Sequence, residues 1–377
     1  MNGIKQTFYF PEYVELANIS SIFKLKGSRF DIESDRGIFI LPVLKKILDK
    51  LIYEDKYSFI DSNMSDSNIG ARRGKNIKNH LFIVYGIINS VLVEEKSCID
   101  IQVYGLVKAF DRLWLDECMN DLYDSLPSDQ CDDKLALIYQ ANIENKVAVN
   151  TAVGLTSRVN IPKIVTQGGV FGPLQCSNSI DTIGKKCYNS GEHLYLYKKM
   201  VPVMPLSMVD DILAVAPCSQ KSLAVNTFIT TQIELKKLRF HTPDKKGKTK
   251  CHVLHVGKSN TLCPNLQVHG TDMGHVSEVT YLGDIISGDG RNTKNIRARI
   301  GKGHGKINDI MNILEKTSLG HDYFKIALLL RESLFLNSIL TNCDVWVGLT
   351  KIEIEELFCP CRSDLPRARV FKCGDNN

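Results

Sequence analysis

PLSMVDDILAVA, residues 205–216, is the stretch that decides the reading of this chain. Two short apolar runs meet at Asp210 and Asp211, a pattern that predicts a β-hairpin with adjacent carboxylates at or near its turn. Hard divalent cations prefer oxygen donors, so such a pair is a candidate for part of a metal site. Phosphoryl transfer from a nucleoside triphosphate uses two divalent ions ~4 Å apart, one at the attacking hydroxyl and one at the leaving group. An isolated Asp-Asp pair is not specific for this chemistry. Asp132 and Asp133 form another, in a polar setting that reads as solvent-facing. Apolar flanks on both sides distinguish Asp210 and Asp211.

Around this hairpin the chain interleaves strands and helices. SIFKLKGSRFDIESDRGIFIL (residues 21–41) reads as a polar and basic hairpin, and LPVLKKILDKLIY (41–53) has apolar residues at helical spacing. The Ser/Asn/Asp-rich segment Asp61–Asn68 reads as a loop before the basic ARRGKNIKNH and the apolar helix LFIVYGIINSVL. A strand, IDIQVYGLV (99–107), runs into KAFDRLWLDECMNDLYDSL, which has amphipathic spacing, and a second helix is expected at about 134–145. VAVNTAVGLTSRVNIP alternates like two antiparallel strands and leads to the glycine turn QGGVFGP; beyond Thr280 the pattern becomes mainly helical.

With 377 residues, 44% hydrophobic and 24% charged, the chain is long enough for two or three subdomains and reads as soluble and globular. Its net charge is only +5, but cations cluster at Lys245, Lys246, Lys248 and Lys250 and again at Arg291, Lys294, Arg297, Arg299, Lys302 and Lys306. Clusters of this kind fit either a polyanion partner or a solvated face. Twelve scattered cysteines in a chain of this size predict reduced thiols. The opening MNGIKQTFYFPEY has no signal-peptide pattern, and no stretch reaches the ~18 consecutive apolar residues of a membrane span. The expectation is an intracellular protein, cytoplasmic or nuclear, without membrane contact.

Read in order, VKAFD (Val107–Asp111), QGGVFGP (Gln167–Pro173), MVDD (Met208–Asp211) and YLG (Tyr281–Gly283) resemble the motif series of reverse transcriptases. The likeness is greatest to non-LTR, LINE-type retrotransposons, weaker to group II intron maturases, and runs from about Tyr13 to Leu349. It implies an α+β right-hand polymerase with fingers, palm and thumb, in which helices flank an antiparallel palm sheet and the thumb is helical. The fingers would occupy residues 1–100, the palm 101–290 and the thumb 291–349, with 350–377 a divergent, disordered tail. The implied activity is RNA-directed DNA polymerisation with Mg²⁺ or Mn²⁺, an RNA template, a DNA primer and dNTPs.

Residue by residue, the resemblance makes Asp210 and Asp211 metal ligands and catalytic groups, and Lys250 a general acid toward pyrophosphate. It puts Arg36, Phe110, Gln167 and Gly168 at the nucleotide, with Phe110 gating the ribose. Lys24, Lys26, Arg72, Arg73, Tyr281, Gly283, Arg297 and Arg299 would contact nucleic acid. One departure stands out: where the family's D-x-x-K-A-F-D places its first metal-binding aspartate, this chain has Gly105. Asp100 cannot substitute, because five strand residues at ~3.3 Å each carry it about 16 Å away on the opposite face. The resemblance therefore implies an impaired polymerase. A catalytically inactive nucleic-acid-binding relic, a maturase-like protein, and a nucleotidyltransferase or cyclase on a similar palm sheet stay open as alternatives.

Overall fold

Seven consecutive buried residues, Ile99–Gly105, form the central strand of the molecule's main sheet. Its sequence IDIQVYG is not purely apolar, so the polar side chains on one face need partners. They have them. The Gln102 side-chain amide donates to the Ser222 carbonyl at 2.8 Å and to its hydroxyl at 2.9 Å. The Tyr104 hydroxyl lies 2.6 Å from Gln102 Oε1 and 2.9 Å from Asn226 Oδ1, and the Cys218 thiol donates to Asp100 at 3.3 Å. By strand alternation Gly105 lies on the other face, with Ile101 and Val103.

The computed structural model describes residues 16–24, 28–30, 34–162, 165, 168–191, 193–196, 201–218, 220–243, 249–257, 264–317 and 322–363. In chain order the elements are β1 (Leu16–Phe23), β2 (Asp35–Ile40), α1 (Val43–Asn63), α2 (Ile77–Asn89), β3 (Ile99–Gly105), α3 (Ala109–Arg112), α4 (Leu115–Ser125) and α5 (Asp133–Ile143). There follow β4 (Glu144–Thr151), β5 (Gly154–Leu155), β6 (Val159–Pro162), α6 (Gly172–Asn189), β7 (Leu194–Leu196), β8 (Val201–Val203), β9 (Leu206–Met208), β10 (Asp211–Pro217) and α7 (Gln220–Leu235). Next come β11 (His252–Val256), β12 (Gln267–Val268), β13 (Thr271–Asp272), β14 (Gly274–Val276), β15 (Glu278–Tyr281) and β16 (Asp284–Ser287). The chain closes with α8 (Thr293–Lys316), α9 (Tyr323–Leu330), a π-helical segment Arg331–Leu336, α10 (Asn337–Leu340) and α11 (Lys351–Ser363).

Two compact units result: residues 1–76, 100–253 and 261–275 form the first, and 77–99, 254–260 and 276–377 the second. Residues 77–99 thus group with the C-terminal part, cutting across the boundary expected at residue 100. In the first unit one sheet has the order β2-β1-β4-β5, with β6 on β4. It is mixed, because β1 pairs antiparallel with β2 but parallel with β4. The sheet containing the Asp-Asp hairpin has the order β14-β11-β3-β10-β9. Leu106, Ile180, Ile183, Ile212, Ile229 and Phe240 are among the residues of its core. Asp132 does more than face water: it accepts from the buried Lys56 at 2.7 Å and from the Lys134 backbone at 3.1 Å as α5 begins.

The second unit is built around a buried carboxylate. Asp284 is fully buried and pairs with the Arg299 guanidinium. It also accepts from Trp346 Nε1 at 2.7 Å, Asn342 Nδ2 at 3.0 Å and the Tyr85 hydroxyl at 3.1 Å. Two sequence expectations are corrected here. Residues 351–363 are helical rather than a disordered tail, because Thr350 and Glu353 make a reciprocal cap. The Thr350 N–H donates to Glu353 Oε2 at 2.9 Å while the Glu353 N–H donates to Thr350 Oγ1 at 3.2 Å. The helical run Tyr323–Val345 is also long and apolar enough, by length and composition, to cross a membrane. The same run packs on α8, where a Cβ on Gly303 would fall 2.6 Å from Ile339 Cγ1.

Candidate functional site

Strands β9 and β10 pair antiparallel with Met208 opposite Asp211, leaving Val209 and Asp210 as a two-residue loop. The predicted hairpin is present. Val209 has φ of +57°, a region that β-branched residues rarely enter. Strain of this kind persists only where the surroundings over-determine it. Here they do: a Cβ on Gly70 would lie 2.9 Å from the Val209 backbone nitrogen, so only glycine allows this approach. The supporting loop is tied to the hairpin by Ile69 N–H to Ser207 O at 3.1 Å and Ser207 N–H to Ser67 O at 2.9 Å.

Arg72 organises that loop from inside. Its side chain is 5% exposed and pairs with Asp61 at 2.7 Å. It also donates to the carbonyls of Ser65 at 2.6 Å, Asn68 at 3.0 Å and Asp61 at 2.9 Å. This corrects its expected role on a phosphate backbone, since the guanidinium is already occupied. Asn68, fully buried, completes the support by donating to the Ser177 carbonyl at 2.7 Å and accepting from the Gly70 N–H at 2.9 Å. Sequence reading missed Asn68, whose only signal is its place in a polar loop.

The hairpin turn meets the end of β3 where the Leu106 N–H donates to the Asp210 carbonyl at 3.2 Å. Gly105 therefore neighbours the aspartates, as the resemblance implies for the missing ligand. Its carbonyl accepts from the His241 N–H at 2.9 Å. The space a side chain would need is filled: a Cβ on Gly105 would lie 2.6 Å from Lys250 Cβ and 3.0 Å from its Cδ. Burial, and then the neighbouring Asp210, raise the Asp211 pKa, while Lys250 lowers it. Burial together with the charges of Lys250 and Lys24 lowers that of His241, favouring neutral imidazole. Lys24 and Lys108 also act on Asp111. Lys250 and both aspartates are thus gathered at one place.

Other predicted residues lie apart or serve packing. Phe110 rests partly buried on the core of the main sheet, and Arg36 is exposed on β2 opposite Ile22. Lys26, Gln167, Lys245, Lys246 and Lys248 fall outside the described residues. Gly168 has φ of +144°, and a Cβ there would lie 2.2 Å from the Phe39 carbonyl oxygen, so its backbone requires glycine for packing on β2. Asp49, missed by sequence reading, secures the same turn. It is buried and accepts from the N–H groups of Val170 and Phe171, the latter at 3.0 Å. Burial raises its pKa against those bonds and the nearby Lys45.

In the second unit Tyr281 is buried with its hydroxyl 2.9 Å from His80 Nδ1, and Arg299 is committed to Asp284. Neither side chain is presented to nucleic acid, which corrects both expectations. Gly283 is exposed in the β15–β16 turn, with φ of +91° after Leu282 at +47°. Arg297 is 67% exposed and pairs with Glu356 at 2.8 Å.

Arg73 keeps an open face. Its guanidinium lies 4.5 Å from the Tyr57 ring centroid and 5.2 Å from that of Tyr53, and it bonds both Glu54 carboxylate oxygens at 2.7 Å. Hydrogen bonds from Arg73, then from Lys50, hold the Glu54 carboxyl down at about 2. A depressed folded-state pKa means that the pair's contribution is present above the unfolded value and lost as pH falls through about 2. A carboxyl NMR titration should therefore give a Glu54 midpoint near 2, moving up toward the ordinary glutamate range in Arg73→Ala. An ordinary midpoint in the unaltered protein would refute this pairing.

Among solved structures, the chain is similar to apo telomerase from Candida Tropicalis, with a TM-score of 0.52 and 13% identity over 92% of this chain and 58% of that one. The fold is reverse-transcriptase-like. Weaker likenesses are to that telomerase truncated from its C-terminal domain (TM-score 0.46, 13% identity, 74% and 54% covered) and to an insertion-loop deletion mutant of the RNA-dependent RNA polymerase of a human picorbirnavirus (0.47, 10%, 92% and 62%). The chain spans 54–62% of the length of these proteins. No protein-family model and no curated protein matches it. In a reverse-transcriptase-like fold a pair of divalent ions is the implied cofactor. The residues present do not fit a pair, because Gly105 offers no ligand and the Lys250 stem fills the place one would take.

Proposed function

We propose that this chain is the RNA-directed DNA polymerase domain of a non-LTR, LINE-type retroelement, with nucleotidyl transfer impaired and binding of an RNA template and DNA primer retained. One observation carries the reading: the Asp210–Asp211 hairpin is bonded to the end of a buried strand whose adjoining residue is Gly105. A hairpin of this kind supports polymerase ancestry, and the absent side chain supports impairment. Losing one carboxylate from a phosphoryl-transfer centre weakens stabilisation of transition-state charge by an amount on the order of several kcal/mol. Lys250 supplies positive charge at the hairpin for a nucleotide's phosphates. Any Mg²⁺ or Mn²⁺ would be held by Asp210 and Asp211. An intracellular setting, cytoplasmic or nuclear, goes with this reading, and eight of the described cysteines are free thiols.

Binding tests this reading without requiring chemistry. Anisotropy with a labelled RNA–DNA primer-template should show affinity falling about 40- to 150-fold between about 50 and 200 mM salt, the slope of roughly three or four phosphate contacts. Lys24→Ala and Arg73→Ala should each weaken binding and flatten that slope. Absence of binding at low salt by a folded chain would sink the proposal.

A further inference from the structure

The contact between Gly105 and Lys250 is more than a missing ligand. The two residues are 145 positions apart, yet the lysine's Cβ, Cδ and Cγ lie 2.6, 3.0 and 3.5 Å from where a Cβ on Gly105 would be. Its Cβ is anchored to the backbone and cannot swing away as a side-chain terminus could. The Gly105 carbonyl accepts from the His241 N–H at 2.9 Å and from the Cys251 thiol at 3.7 Å. No side chain fits at residue 105 unless this neighbouring backbone moves. Lys250 also brings a fixed positive charge to a place where two adjacent carboxylates would otherwise call for a metal ion.

From this geometry we infer that Lys250 fills the volume of the absent ligand and sets a positive charge where a metal ion's would stand, so that Asp210 and Asp211 hold at most one divalent ion, and weakly. The inference rests on the polymerase reading of the hairpin and identifies what now occupies the place of the lost carboxylate. Glycine at 105 and lysine at 250 consequently form a pair, and restoring the carboxylate requires changing both.

Mn²⁺ titration of the full chain, followed by electron paramagnetic resonance of the free ion, tests this without activity. The unaltered chain should take up no more than one weakly held Mn²⁺. Lys250→Met keeps the stem and removes the charge, and should tighten that ion about tenfold, as expected for one charge acting on a divalent ion near a protein surface. Lys250→Arg should leave it unchanged. Gly105→Asp alone should add no site, whereas Gly105→Asp with Lys250→Gly should add a second. Two Mn²⁺ ions on the unaltered chain would overturn the inference, as would no change in Lys250→Met or a second ion in Gly105→Asp alone. Primer-template anisotropy on the same samples separates the two ideas: loss of binding there with the expected Mn²⁺ pattern would count against the polymerase reading alone.

Discussion

Asp284→Ala is expected to destabilise the second unit by about 3–5 kcal/mol, the cost of removing one partner of a buried ion pair. The alanine would leave the buried Arg299 side chain without its counter-charge. The donors on Trp346, Asn342 and Tyr85 would also lose their shared acceptor. Each unpaired buried donor adds its own desolvation penalty, so a loss at the upper end of that range is expected. Combining Asp284→Leu with Arg299→Met removes both charges and should cost less than Asp284→Ala. Urea denaturation read at Trp346 measures both. A loss below about 1 kcal/mol for Asp284→Ala, the range of an exposed pair, would show that this carboxylate is not the centre of the unit.

Arg299 also shows where a sequence reading of charge goes astray. The run Arg291, Lys294, Arg297, Arg299, Lys302 and Lys306 looks like a basic face, but several of its charges are already neutralised. Lys294 pairs with Glu278, Arg297 with Glu356, Arg299 with Asp284 and Lys306 with Asp309. Three of those acids lie outside the helix and one of them, Glu356, is on a segment expected to be disordered. Pairing partners come from tertiary structure, so composition overstated the free charge. The Asp210–Asp211 hairpin, by contrast, was legible because its signal is local: two apolar runs and a polar junction. The cap at Thr350 and Glu353 was also local, but a Pro- and Cys-rich continuation obscured it.

Long-range contacts outside the resemblance were not legible. Asp49 reads as one acid among many in an amphipathic helix, and only the folded chain brings it to the backbone of Val170 and Phe171. Gly105 could be recognised as the place of a missing carboxylate, yet nothing in VYGLV hints that Lys250 fills that place. The order β11-β3-β10 sets β3 between the strand that follows Lys250 and the strand that starts at Asp211, which brings all three residues together.

The largest change in chemistry is expected from the paired substitution Gly105→Asp with Lys250→Gly. Losing a carboxylate ligand costs on the order of several kcal/mol, so regaining one should raise primer extension by about 10²–10³-fold. Gly105→Asp alone should stay at background, because its Cβ would meet Lys250 Cβ at 2.6 Å. Extension by Gly105→Asp alone would show that the backbone yields, and would remove the lysine from the explanation while leaving the lost ligand in it. Some of the gain will be offset if Lys250 also serves as a proton donor, and Gly105→Asp with Lys250→Ala would reveal how much of the obstruction is the Cβ itself.

The most direct measurement is single-nucleotide extension of a DNA primer on an RNA template with Mn²⁺, comparing the unaltered chain with the paired variant at equal primer-template occupancy. Impairment at Gly105 predicts no extension above background by the unaltered chain and clear extension by the variant. Robust extension by the unaltered chain would contradict it, because a centre that transfers nucleotides without a carboxylate at residue 105 has not lost the ligand on which the reading depends.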